Sequence, residues 1–319
     1  MRPPYIITTK ILSLVASISE KVGEVKTVYL NLPPAELRRE NRIKTIQSSL
    51  HIEGNTLSID QVTALLDNKR VIASQKDIQE VRNAINTYNQ LDKFNAYSFT
   101  SLCEAHKLLM FGLVDNAGQI RTSNVGIAKG DEIAHIAPPA HLIKEQLKSL
   151  LSYAKNDGDL LLIKSCVFHY EFEFIHPFLD GNGRMGRLWQ TVLLRQEYPV
   201  FEFLPIETLI KYKQQEYYDT LAQCDTLGQS TLFIEFMLSI IDEALEELLL
   251  SQPANISGED RVNLFQSIIK ENPFARKEYM RHFKNISTTT ASRDLREATE
   301  KGILNKTGDG RNTMYKYVM

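Results

Sequence analysis

A mainly α-helical fold with one β-hairpin and a small α/β tail is what this sequence predicts, on three observations. Apolar residues recur at helical spacing over most of residues 37–250. That pattern breaks after Gly118, where two short β-rich runs flank a polar turn. A polar stretch containing Pro and Gly, residues 251–258, then precedes a tail of about sixty residues, enough for a small domain.

The elements follow in order. Residues 37–50 read as a charged amphipathic helix. Ser58 fits an N-cap, because its hydroxyl can accept an otherwise orphaned N–H of the helix that begins at Ile59. Residues 78–91 place Val81, Ala84, Ile85 and Tyr88 on one helical stripe, and residues 101–111 repeat the pattern. Val125-Gly-Ile127 and Ile133-Ala-His-Ile136 flank Ala-Lys-Gly-Asp-Glu, the signature of a short hairpin that Pro138-Pro139 ends. Helical spacing resumes over 142–153 and 160–175, then 182–196, 206–224 and 231–250.

A chain of 319 residues is long enough for two or three domains. The net charge of -2 gives no global attraction to nucleic acid or to a membrane, so either would need a local patch. Cys103, Cys166 and Cys224 lie far apart with no CxxC pair, which argues against a zinc site or a disulfide framework and suits a reducing compartment. The start, Met-Arg-Pro-Pro-Tyr-Ile-Ile-Thr-Thr-Lys, lacks a signal-peptide core, and no stretch approaches the roughly 20 apolar residues of a membrane span. A cytoplasmic protein without membrane contact is the expectation.

The chemistry concentrates in His176-Pro-Phe-Leu-Asp180-Gly-Asn-Gly-Arg184-Met-Gly-Arg187. Gly181, Asn182 and Gly183 can adopt backbone conformations closed to most residues. A turn of this kind entering a helix aims several N–H groups at one spot and makes an anion nest. Arg184 and Arg187 are three apart, so they share a helical face and can clamp phosphate oxygens. Asp180 at the mouth of the nest suits Mg²⁺, which takes one or two carboxylates together with phosphate oxygens. His176, with an ordinary pKa of about 6.5, suits a base near neutral pH. His169 lies seven residues before it and could share its helical face, but without a further ligand in pattern the two do not make a metal site. Base, metal carboxylate and phosphate cradle together imply transfer of a phosphorus group.

Those twelve residues resemble the signature of the Fic family, His-Pro-Phe-x-Asp/Glu-Gly-Asn-Gly-Arg-x-x-Arg, with every specified position filled. The likeness extends in looser form over about residues 101–250, and Phe168-His-Tyr-Glu-Phe-Glu-Phe-Ile175 resembles the family's approach helix. Gly-Asn-Gly-Arg stands where the Doc-type kinases have Ala-Asn-Lys-Arg, which favours nucleotidyl transfer over phosphorylation. The resemblance implies a protein adenylyltransferase using Mg²⁺ and ATP. His176 would deprotonate a Ser, Thr or Tyr hydroxyl of a protein substrate, which attacks the α-phosphate as pyrophosphate leaves. Asp180 would hold Mg²⁺; Gly181, Asn182, Gly183 and Arg184 would bind phosphates; Arg187 would meet the γ-phosphate. Tyr217 and Tyr218 sit where the family places side chains near the base. The hairpin, through Val125, Ile127, Ile133 and Ile136, resembles a target-binding flap that holds an extended segment by strand addition. Self-modification and a homodimer are further expectations of the likeness.

Ser49-Leu-His-Ile-Glu53-Gly54 resembles the inhibitory motif Ser/Thr-x-x-x-Glu-Gly/Asn of autoregulated members whose inhibitory helix precedes the core. Glu53 would pair with Arg187 in the place of the γ-phosphate. Such a charge-assisted bond contributes about 1.5–3 kcal/mol. In some relatives the same glutamate aligns a water that removes the modification, so reversal is an alternative activity.

The resulting organisation is an N-terminal helical region (1–100) carrying the inhibitory motif, a Fic core (101–250) and a winged-helix domain (259–319). In the last, residues 276–283 and 288–301 read as a helix-turn-helix with Ser292, Arg293 and Arg296 at the recognition helix, and residues 302–317 read as the wing. From Asp260 onward twelve basic residues face seven acidic ones, a net +5, so DNA contact and protein contact both stay open. Three alternatives remain: a DNA-binding regulator with a nucleotide-sensing core, a binder of phosphorylated partners, and an enzyme using another donor.

Overall fold

The computed structural model describes residues 2–29, 33–129, 132–250, 257–270, 272–283, 286–308, 310 and 313–318. The expected linker residues 251–256 lie outside these. So do the hairpin tip, Gly130 and Asp131, and Glu271, Lys284, Asp309 and Arg311 of the tail's charges. The chain divides into two compact units, Met1–Val25 with Asn31–Leu248, and Lys26–Leu30 with Leu249–Met319.

Up to Leu250 the elements are α1 (Thr9–Tyr29), α2 (Ala35–Ile52), α3 (Ile59–Leu66), α4 (Gln75–Tyr88), α5 (Phe99–Leu109), β1 (Gly126–Lys129), β2 (Glu132–Ile136), α6 (Ile143–Asn156), α7 (Leu161–Ile175), α8 (Asn182–Leu194), α9 (Ile206–Tyr212), α10 (Gln214–Leu227) and α11 (Thr231–Leu250). The fold is mainly α with a small hairpin, as the sequence predicts. The Ser58 cap forms a full capping box with Gln61.

The centre is α7 packed on α8. Every residue of α8 except Gly183 is buried, and most of α7 is too. A helix apolar all round belongs in the interior, and Phe168, Phe172, Leu188 and Trp189, all at 0% exposure, supply the filling. The loop 176–181 therefore joins two deeply buried helices.

Two elements differ from the sequence reading. Helix α1 was not assigned, yet its buried Ile11, Val15, Ile18, Val22 and Val25 form one stripe at helical spacing. The stripe is hard to separate from a strand signal because all five of its residues are β-branched and Gly23 interrupts the helix. The helix expected over 206–224 is two helices, broken at Lys213 (φ −105°, ψ 30°). The break lets α9 lie along α2 while α10 turns toward β2.

The hairpin pairs Gly126 with Ile136, Ile127 with His135, Ala128 with Ile133 and Lys129 with Glu132, with a bulge between Ile127 and Ala128. The side chains of Ile127, Ile133 and Ile136 lie outside the described set.

The second unit contains α12 (Gly258–Ile269), α13 (Arg276–His282), α14 (Thr288–Glu300), β3 (Leu304–Thr307) and β4 (Met314–Tyr317). β3 pairs antiparallel with β4, and Phe274 bridges to Tyr315. Its core holds Val262, Phe265, Phe274, Tyr279, Leu295 and Tyr317. Beside this core Arg261 meets Asp294 through two hydrogen bonds (2.6 and 3.0 Å), and the Tyr279 hydroxyl adds a third at 3.3 Å.

Candidate active site

Helix α7 ends where His176 turns left-handed (φ 48°, ψ 62°), its N–H still bonded to Phe172 O at 3.0 Å. This is an αL cap on a residue other than Gly, a conformation that costs energy and needs support. Support comes from Arg121, which is 2% exposed. Its Nε donates to His176 O (2.7 Å), its Nη2 to Ile175 O (3.2 Å), and its backbone N–H to Pro177 O (2.9 Å).

The next residues close into a ring. Asn182 accepts from Phe178 N (2.9 Å) through Oδ1 and donates to Phe178 O (2.8 Å) through Nδ2. Gly181 completes the turn at φ 83°, and a Cβ there would lie 2.7 Å from Met110 Sδ. Helix α8 starts at Asn182, so the first-turn N–H groups of Asn182, Gly183 and Arg184 face outward from the helix start, an anion nest at its positive end. Asp180 Oδ1 accepts from Gly181 N (2.6 Å) and Arg184 Nη2 (3.0 Å).

His106 braces the same loop. Gly118 N–H donates to its Nδ1 (2.8 Å), so the proton sits on Nε2, which donates to Asp180 O (2.9 Å). The ring stacks on Phe178 at 3.6 Å. Burial pushes its pKa down to about 4, which keeps it neutral and in that tautomer.

Both arginines are buried and both face acids. Arg184 reaches Asp180 and, at 3.3 Å, Glu80, whose other oxygen accepts from Asn55 at 2.8 Å. Arg187 donates from Nε to Ser49 Oγ (3.1 Å) and from Nη2 to Ser49 O (3.0 Å) and Glu53 Oε1 (2.8 Å). Its Nη1 is buried without a hydrogen-bond partner. A Cβ on Gly183 would come within 2.5 Å of Glu53 Oε1 and 3.2 Å of Arg187 Nη1, so the Glu53 carboxylate lies directly over the nest. Glu53 is the C-cap of α2 and is 27% exposed.

Two further acids crowd Arg187. Burial pushes Glu173 up to about 8, with Arg187 pulling it down and Glu53 pushing it up. Burial likewise pushes Glu207 up to about 7. His169 is pushed down to about 3 by burial and is bonded to Gln190 (2.7 Å) and Tyr217 (3.1 Å).

The structure thus brings His176, Asp180, Gly181, Asn182, Gly183, Arg184, Arg187 and Glu53 into one neighbourhood. Tyr217, expected from the resemblance to lie near the base, has its place in the core. It is 1% exposed, with its ring against Phe233 and Phe236 and its hydroxyl on His169, so it packs the core. Tyr218 stays half-buried beside it. Asp180 keeps 55% of its side chain exposed, which leaves a face for a divalent cation. Among the described residues no group of three or more His, Cys, Asp or Glu could hold a metal by itself. A cation at Asp180 would need oxygens from a phosphate ligand, which matches how Mg²⁺ is commonly held. Arg121, His106, Glu80 and Glu173 were not singled out from the sequence.

A model of the Fic/DOC family matches residues 96–194, which span the hairpin, α7, the loop and α8. A Fic family protein from Desulfovibrio desulfuricans G20 is 40% identical, with a TM-score of 0.77 over 100% of this chain and 98% of that one. The chain belongs to the Fic family. Among curated relatives, protein adenylyltransferase fic-1 of Caenorhabditis elegans is 29% identical over 216 residues, covering 63% of this chain and 40% of that protein. Protein adenylyltransferase Fic of Aedes aegypti is 27% identical over 276 residues, covering 79% and 52%. The chain therefore spans only about half, or less, of those Fic relatives. Residues 134–508 of the nematode Fic-1 share the fold at 21% identity and a TM-score of 0.63, over 76% of this chain and 72% of that one. Among the described residues no helix is long and apolar enough to cross a membrane.

Proposed function

We propose that this Fic protein is a protein adenylyltransferase that moves AMP from ATP to a Ser, Thr or Tyr hydroxyl of a protein. The observation that carries the reading is the loop itself. It sets His176 beside a helix-start nest that two buried arginines and Asp180 border. His176 takes the hydroxyl proton, the oxygen bonds to the α-phosphorus, and the bond to pyrophosphate breaks. Gly181, Asn182, Gly183 and Arg184 bind phosphates, and Arg187 takes the γ-phosphate. Asp180 is the residue to hold Mg²⁺, which would neutralise phosphate charge. Placing the groups and stabilising charge does most of the work in such chemistry.

Helix α2 is proposed as an inhibitory helix. Glu53 holds Arg187 at 2.8 Å, over the nest where terminal phosphate charge would sit. The tail is proposed as a winged helix, supported by the order α12, α13, α14, β3, β4. Arg293 and Arg296 are exposed on α14, while Ser292 accepts from Arg276 at 2.7 Å. A domain division at 1–100, 101–250 and 259–319 goes with this reading, as does a cytoplasmic setting.

The test uses wild type, Glu53→Gly and Glu53→Gly/His176→Ala with Mg²⁺ and ATP labelled on the α-phosphate. Label is expected on protein in the single variant, at least about a hundredfold less in the double, and weakly in wild type. Label in the double variant at the level of the single one would sink the assignment of His176. No label in any variant, with ATP bound, would sink adenylyl transfer.

A further inference from the structure

Three backbone stretches, at residues 123, 138 and 175–176, meet on the Arg121 guanidinium. Two of its bonds go to Ile175 O and His176 O, at the end of α7. The other two go to Ser123 O (Nη1, 2.8 Å) and Pro138 O (Nη2, 2.7 Å). Ser123 lies three residues before β1 and Pro138 two residues after β2, so these are the two feet of the hairpin. Asn124 Oδ1 closes the feet by accepting from Ala140 N at 2.9 Å.

All four side-chain bonds thus end on backbone carbonyls. A cation is well placed there, because the last carbonyls of a helix lack intrahelical partners and carry the negative end of its dipole. The guanidinium is planar and its donors are fixed relative to one another. Tilting it toward the hairpin feet must therefore move it at His176 O as well. That carbonyl belongs to a residue in a left-handed conformation, where the backbone setting also sets the direction of the imidazole.

We propose that Arg121 is a positioning residue that couples the hairpin to His176, so that a segment seated on the hairpin also sets the base. The inference rests on the reading of His176 as base and of the hairpin as the acceptor's dock. It separates Arg121 from a simple rivet, because a coupling residue acts on turnover more than on nucleotide binding.

The experiment uses the full chain in the Glu53→Gly background, with Arg121→Lys and Arg121→Gln added. Lysine keeps the charge but offers a compact ammonium that cannot span both sets of carbonyls. For Arg121→Lys the rate of label transfer from ATP onto the chain should fall about ten- to a hundredfold, since a displacement near 1 Å can cost that much. The KM for ATP should change less than about twofold. Arg121→Gln should fall further, and if it fails to fold, Arg121→Lys decides. Amide hydrogen exchange should accelerate together in residues 123–138 and 174–178 and stay unchanged in α8. A Lys variant that transfers at the parent rate overturns the coupling. So does exchange that rises in only one of the two segments, or that rises in α8 together with a loss of ATP affinity. If the parent itself transfers no label, the adenylyl-transfer reading fails, while the exchange pattern still judges the coupling.

Discussion

Two arginine–carboxylate pairs with a buried arginine, one in each compact unit, are built differently. In the C-terminal unit Arg261 and Asp294 are 5% and 0% exposed and meet through two bonds, with Tyr279 adding a third to the carboxylate. In the larger unit Arg187 is 1% exposed but Glu53 is 27% exposed, and the two share one bond. There a buried Nη1 is left unsatisfied next to Gly183. A saturated pair holds a core together. An unsaturated one keeps a donor waiting for a second anion, and its carboxylate can leave toward solvent without being stranded in the interior.

The largest expected effect tests the first pair. Asp294→Ala leaves the buried Arg261 without its carboxylate, which costs about 3–5 kcal/mol. Amide hydrogen exchange in α12 and α14 should accelerate accordingly, and unchanged exchange there would mean that the pair does not hold this unit's core.

The second effect tests the exchangeable pair. Glu53→Gly should raise label transfer about tenfold to a hundredfold, the equivalent of one charge-assisted bond. Unchanged transfer would mean that the contact is no brake. Ser49→Ala comes next. It removes the acceptor of Arg187 Nε, and the loss of that bond should lower stability by about 1 kcal/mol, read from the denaturation midpoint. No change would mean that water replaces the hydroxyl.

A separate effect concerns pH. Glu173 in the folded chain holds its proton up to about pH 8, against 4.5 as its ordinary value. Between those values the folded state binds more protons than the unfolded one, so this group's contribution to stability falls as pH rises. Glu173→Gln stays neutral and should flatten that decline, as seen in melting temperatures taken over about pH 5 to 8. An identical slope in both proteins would show that Glu173 ionises freely.

The loop was legible because its information is local. Twelve consecutive residues specify a turn, a nest and two same-face arginines, and the structure gathers them as the spacing requires. The contact of Glu53 with Arg187 was legible for another reason, since the short motif around Glu53 resembles a known one although Arg187 lies far along the chain. Arg121 and His106 were not legible. Their partners are mostly backbone carbonyls and amides, which every residue carries and no sequence pattern marks. Tyr217 shows the converse. The resemblance marks its place in the chain, while its packing against Phe233 and Phe236 is visible only in the fold. In the fold, β-branched residues blurred α1, and the break at Lys213 follows from packing on α2, which local propensity does not contain.

The reciprocal bonds between Asn182 and Phe178 have a thermodynamic consequence. They close the five-residue turn into a ring held by the chain's own hydrogen bonds. An anion entering the nest need not freeze that backbone, which would otherwise cost about 1–2 kcal/mol for each residue fixed. Calorimetric titration with ATP should therefore show a smaller unfavourable entropy for the native chain than for Asn182→Ala, in which the ring is open.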